Sequence, residues 1–263
     1  MSNKAEAMLL LVLFYCFVVN VDAAACPDAV LISPCVCKLT GDQVDMTCAG
    51  LLSLQSLSDI FGRTFPTTDM HSIIISGSKL GPLPSDVFKG KSFETIQFID
   101  NQLTSFDNPS VFSSCKARLT SLILNQDADD WTFNFANVQG FDLLTSMQIT
   151  GYNLLLSGTL SSNSLTQLFI QSDLITTLPS FGSLPNLSLL DLDGNTIETL
   201  PTNSFAGINS LTELYLGHNK LVSLPTGTIT LTSPAVSIVD LSSNLIDSFS
   251  AGWITGNYEI RII

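Results

Sequence analysis

The chain has 263 residues, 45% hydrophobic and 13% charged, with ten Lys and Arg against 23 Asp and Glu and a formal net charge of −13. That much apolar material suits a packed core and excludes a disordered chain. The scarcity of Lys and Arg excludes nucleic acid and anionic membrane surfaces as partners, since both are bound by neutralising phosphate.

Residues 1–25 start with Lys4, run through an apolar stretch at 8–19 and close on Ala23-Ala24-Ala25. This pattern predicts a secretory signal peptide, removed after Ala23 or Ala25. The stretch is shorter than the ~20 apolar residues of a membrane span, so no membrane anchor is expected. Loss of the leader, with Lys4, Glu6 and Asp22, leaves a net charge of −12. The expected location is secreted, extracellular.

Four cysteines follow in the pattern C-x8-C-x-C-x10-C, at Cys26, Cys35, Cys37 and Cys48. In an oxidising compartment such a cluster reads as a disulfide staple. A zinc site shows pairs separated by two to four residues, whereas here one residue separates the pair and His71 is remote, so no metal is expected. The spacing alone leaves three connectivities open. Leu51, Leu54, Leu57 and Phe61 then recur at helical spacing, which predicts a short amphipathic helix. Residues 26–66 therefore form an N-terminal cap, each crosslink contributing on the order of 3 kcal/mol by chain entropy.

From residue 70 to 263 the register L-x-x-L-x-L-x-x-N-x-L recurs, with first positions at Met70, Phe93, Leu119, Leu144, Leu165, Leu187, Leu211 and Val236. The spacing falls within the range of about 20–29 residues expected of leucine-rich repeats. Positions four and six alternate with an outward position five, as a strand with one buried face requires. The fold class expected is an α/β solenoid, a leucine-rich-repeat horseshoe with a parallel concave sheet and an irregular convex side. Asn101, Asn195, Asn219 and Asn244 occupy position nine, where an amide satisfies backbone groups of the turn. Ser78, Asp127, Tyr152 and Asp173 stand there in the other copies, so the register is least secure over 119–160.

LPSDVFKG at 83–90 and LPTNSFAG at 200–207 mark the return segments, and Phe88, Phe112 and Phe205 are expected to fill the convex core. A truncated ninth copy is expected to begin near Ile260. Ile260, Ile262 and Ile263 would present an apolar edge, covered by another chain or by further sequence, or frayed; uncovered, such an edge is an association site.

Cys26-Pro27, Ile32-Ser33-Pro34-Cys35-Val36-Cys37, Met46-Thr47-Cys48, Ile60-Phe61 and Phe65-Pro66 carry a narrower similarity. The chain resembles secreted leucine-rich-repeat proteins with a cysteine-rich N-terminal cap, and within them crustacean proteins related to the non-catalytic subunit of the Oplophorus luciferin 2-monooxygenase. The resemblance implies the pairings Cys26–Cys37 and Cys35–Cys48. It also implies a non-catalytic accessory chain that accompanies a small catalytic subunit; no cofactor is expected. The function expected is thus a secreted protein-binding scaffold; the alternative is a soluble pattern-recognition or matrix protein that binds glycan or a pathogen surface.

Position five aligns Ile74, Gln97, Ile123, Gln148, Phe169, Asp191, Tyr215 and Asp240 across the concave face. Phe169, Asp191, Asp193, Glu213, Tyr215 and Asp240 form the expected partner-binding patch, since aromatics supply contact area and carboxylates supply direction. Asp193, His218 and Ser243 fall side by side as an acid, base and nucleophile, but on an open rim without a nucleophile elbow, so no catalysis is expected. The acidic run 125–130 lacks the glycine and terminal glutamate of a calcium-binding hand loop and reads as a solvated turn. Gly90-Lys91-Ser92 lacks the earlier glycine of a phosphate loop. Asn186-Leu187-Ser188 is an open glycosylation sequon, whereas Asn108-Pro109-Ser110 is blocked by proline. Cys115 is either a buried thiol or a link to a partner chain.

Overall fold

A computed structural model of the chain describes residues 24–106, 108–126, 130–152, 154–231, 233, 236–254 and 259–261, the last three as backbone. Residues 1–23 of the expected leader, Asp127 and Asp129 of the acidic run, and Ile262 and Ile263 lie outside them.

The chain enters through α1 (Ala29–Ile32), whose first turn is held by the Asp28 carboxylate accepting from the Val30 amide at 2.9 Å. An antiparallel hairpin follows, β1 (Val36–Thr40) and β2 (Gln43–Ala49), pinned by disulfides Cys26–Cys37 and Cys35–Cys48. Val44, Met46 and Cys48 alternate inward on β2. Helix α2 (Leu54–Phe61) then buries Leu57, Ile60 and Phe61, and Ser53 caps it by accepting from the Ser56 amide.

Strands of the solenoid then follow, most of them in one long sheet and the rest in two short ones. In chain order they are β3 (Asp69–Ser76), β4 (Ser92–Ile99), β5 (Ser105–Phe106), β6 (Ser121–Gln126), β7 (Trp131–Asn134), β8 (Ser146–Gly151), β9 (Leu154–Ser157) and β10 (Gln167–Gln171). They continue as β11 (Leu189–Asp191), β12 (Glu213–Tyr215), β13 (Ser223–Leu224), β14 (Ile238–Asp240), β15 (Ser248–Phe249) and β16 (Glu259–Arg261). Among the described residues one eleven-stranded sheet runs β1-β2-β3-β4-β6-β8-β10-β11-β12-β14-β16, parallel from β2 onward. Short parallel sheets, β5-β7-β9 and β13-β15, lie on the opposite side.

The pairing follows the sequence register without a slip. Ile73, Ile96, Leu122, Met147, Leu168, Leu190, Leu214 and Val239, all at position four, stand in one row, so the insecure stretch 119–160 keeps the same phase. Positions one, four and six are buried in every copy from Met70 to Leu241. Each such side chain contributes roughly 1.5–3 kcal/mol by leaving water. The continuation differs from expectation at one point: Ile260 pairs with Val239 and therefore takes position four, not position one, of the ninth copy. The interval into that copy is shorter than the one assumed.

The convex core is aromatic in the N-terminal half. Phe88 and Phe112 stack at 6.4 Å, Phe61 meets Phe88 and Phe93 edge-on, and Phe106 meets Trp131 at 6.0 Å. Phe205 is fully buried farther along. Lys91 ties cap to solenoid: its buried ammonium donates to the Phe61 carbonyl at the end of α2, at 2.5 Å, and lies 5.1 Å from the centroid of the Phe65 ring. Burial holds its pKa below the usual lysine value. The segment weighed as a phosphate loop is thus a helix C-terminal contact, where a cation meets unsatisfied carbonyls.

Among the described residues no helix is long and apolar enough to cross a membrane.

Candidate functional site: the concave face

The concave surface is built by a polar scaffold that keeps neighbouring coils at strand spacing. At position two, Thr120, Thr145, Thr166, Ser188, Thr212 and Ser237 each donate a hydroxyl hydrogen bond to the position-two carbonyl of the preceding coil, at 2.9–3.2 Å. The run of Thr and Ser at that position was visible in the sequence but carried no expectation. At position nine the Asn219 amide donates to the carbonyls of Leu192, Leu216 and Gly217, while its oxygen accepts from the Ile197 amide at 3.0 Å. Asn195 and Asn244 act in the same way, and Asn101 donates to the Ile75 carbonyl.

Two copies move this task one residue earlier. Gln126 is the buried amide of its coil: it accepts from the Asn101 amide and donates to the Phe98 carbonyl, both at 3.0 Å. Ser172, not Asp173, is buried and bridges the Leu154 amide and the Tyr152 carbonyl. In five other copies position eight is a left-handed turn, at Gly77, Asp100, Gly194, His218 and Ser243.

That turn geometry disposes of the hydrolytic constellation. His218 lies 3.1 Å from the Asp193 carboxylate through Nδ1, but no hydrogen bond links it to Ser243. His218 and Ser243 are exposed corner residues of successive turns. Of the acidic run, Asp130 is exposed, and two of the three carboxylates lie outside the described residues.

The expected partner-binding residues do lie together. Phe169, Asp191, Tyr215 and Asp240 stand side by side on β10, β11, β12 and β14, each half-buried in the open face. Glu213 sits between Leu189 and Ile238 at position three, and the Tyr215 phenol donates to it at 2.7 Å. Asp191 and Asp240 make the same local turn, accepting from the amides of Asp193 and Ser242 at 2.9 Å. Burial pushes the Asp191 carboxyl above the usual aspartate value, and the neighbouring Asp193 charge adds to the shift. The first four copies place only Ser, Thr, Asn, Gln and Ile at positions three, five and seven. These positions are therefore uncharged in the first four copies, with Asp45 of β2 beside them at the cap end, and acidic beyond Phe169.

Asn186 is exposed and donates to the Asn163 carbonyl at 2.6 Å. Cys115 is buried, and burial pushes its thiol up to about 11. An inert core thiol fits this setting; a link to a partner chain does not.

Fold and cap together define the class: a leucine-rich-repeat solenoid closed at its N-terminal end by two disulfides. Residues 160–221 match the leucine rich repeat family. Over 242 residues, 89% of its length, the chain is 29% identical to the Oplophorus-luciferin 2-monooxygenase non-catalytic subunit of Oplophorus gracilirostris, of which it covers 67%. It is 36% identical to Tsukushi of Xenopus tropicalis over 39% of this chain and 27% of that one. To trophoblast glycoprotein of Macaca fascicularis it is 28% identical over 73% of this chain and 43% of that one. The chain thus spans about two thirds of the first relative and under half of the other two.

Proposed function

We propose that this protein is a secreted, non-catalytic scaffold that binds another protein chain on the acidic half of its concave sheet. One observation carries the reading: Phe169, Asp191, Tyr215 and Asp240 align on adjacent strands of an open face. Such an array offers contact area and directed charge without enclosing a substrate. The similarity to a protein named as a non-catalytic subunit supports an accessory role beside a separate catalytic chain. Residues 1–25 are the leader in this reading, 26–66 the cap and 70–263 the repeats. The two cap disulfides suit an oxidising extracellular compartment. Asn186, exposed ahead of β11, is the glycan acceptor.

Purifying the natively secreted protein under non-denaturing conditions, followed by mass spectrometry, tests the proposal. A second chain at fixed stoichiometry is expected. Recovery of this chain alone at every ionic strength, or an activity that is lost when His218 is replaced, contradicts it.

A further inference from the structure

From the middle of the concave face we infer a saccharide-binding recess that adjoins the protein-binding patch and shares Phe169, Asp191 and Asp193 with it. Asn125, Thr150 and Gln171 occupy position seven on β6, β8 and β10 and are adjacent through strand pairing. With Gly151, Tyr152 and Asp173 they line a hollow of about 230 Å³ at the ends of the strands. A second hollow of about 190 Å³ adjoins it, sharing Thr150 and Gln171 and adding Gln148 and Phe169.

Gly151 forms part of the wall for a steric reason. A Cβ there would lie 2.3 Å from the Gln126 carbonyl oxygen and 2.7 Å from Trp131 Nε1, so the two coils meet backbone to backbone.

Four polar side chains of the recess are uncommitted, whereas Ser172, which also lines it, is spent on the Leu154 amide and the Tyr152 carbonyl. Elsewhere on the face the Ser and Thr hydroxyls of position two and the amides of position nine are spent on neighbouring carbonyls. Among the described residues the side chains of Asn125, Gln148, Thr150 and Gln171 make no hydrogen bond to protein. An amide offers a donor beside an acceptor, the complement of two adjacent sugar hydroxyls. Tyr152, 58% exposed in the lining, is free of core packing and available to stack on the C–H side of a pyranose. The lining contains no Lys, Arg or His, and carboxylates Asp173, Asp191 and Asp193 surround it. A neutral saccharide suits this composition, and an anionic one is repelled by it.

The inference does not rest on the protein-partner reading, because Tyr152 and Gln171 lie outside that patch. An array of neutral, sialylated and sulfated saccharides tests it, with saturation-transfer NMR on the retained neutral sugars. Retention of neutral saccharides is expected, at a Kd of about 1 mM for one sugar ring in a shallow site. Tyr152→Ala and Gln171→Leu, both at solvent-exposed positions, should each weaken binding about tenfold. Glu198→Gln should not, and circular dichroism should show all three variants folded. Three results overturn the inference: no neutral saccharide retained, retention unchanged in both recess variants, or stronger retention of sialylated or sulfated sugars.

Discussion

The Tyr215 phenol donates a 2.7 Å hydrogen bond to the Glu213 carboxylate two residues earlier on β12, so both outward side chains of one short strand are held together. Asp191 and Asp240 flank Tyr215 on the strands either side. The aromatic ring is therefore pre-oriented within a frame of carboxylates, which lowers the ordering cost a partner must meet on binding.

Asp191 is the member of this frame that the fold tolerates least. Its folded pKa is raised, chiefly by burial, so ionisation opposes folding. The cost is absent below the ordinary aspartate value of 3.8 and fully present once the pH exceeds the raised folded value. Asp191→Asn keeps an oxygen for the Asp193 amide and should raise Tm at pH 7 while leaving it unchanged near pH 3. Thermal melts at the two pH values measure this. A lower Tm at pH 7 would show that the carboxylate is structural rather than held for a partner.

The turn amides should dominate stability according to where they sit, not according to the sequence position they occupy. Asn219→Leu leaves the buried Ile197 amide without its acceptor and takes one of two donors from each of the Leu192, Leu216 and Gly217 carbonyls, and should cost about 2 kcal/mol. Gln126→Leu should cost about 2 kcal/mol for the same reason. Asp173→Asn, at the nominal asparagine position but exposed, should stay within about 0.5 kcal/mol of the parent. Urea midpoints at constant m value separate the first two from the third.

Much of this was legible because burial in a solenoid is periodic. Apolar positions one, four and six recur by sequence and are buried by geometry, so strand order and register follow from counting alone. The copies that depart from the asparagine pattern at 127 and 173 gave no sign of what replaces it, because Gln126 and Ser172 serve from one residue earlier and no periodic template carries that shift. Lys91 resembled a phosphate-loop remnant because its partner, the Phe61 carbonyl, lies 30 residues away. The recess was invisible for a related reason: Asn125, Thr150 and Gln171 become neighbours only when three coils stack. The concave row itself was readable, since position five points outward in every copy.

Removing one cap crosslink should destabilise the whole solenoid rather than the hairpin alone. Cys35 and Cys48 are buried with Leu57 and Phe61 in the core continuous with the first repeats. Replacing both by Ala should cost about 3 kcal/mol in loop entropy. A single cooperative transition at lower denaturant is expected. Two separate transitions would mean that the cap folds independently of the repeats.

Cys115 should resist alkylation in the native protein. With a thiol pushed up to about 11, roughly one molecule in a thousand carries the thiolate at pH 8, and the sulfur is buried besides. Iodoacetamide should label it only in denaturant, and non-reducing electrophoresis should show no crosslinked dimer through this residue.

The central claim is that the acidic, aromatic half of the concave sheet binds a protein. Its most direct test is the affinity of the co-purified chain for the parent protein and for an Asp191→Asn, Tyr215→Ala double variant, by titration calorimetry in low and physiological salt. The account predicts a loss of at least about a hundredfold in the variant, of which truncation of the ring contributes most, and weaker binding to the parent as salt rises. Equal affinity for parent and variant, with the variant's fold intact by circular dichroism, would contradict it.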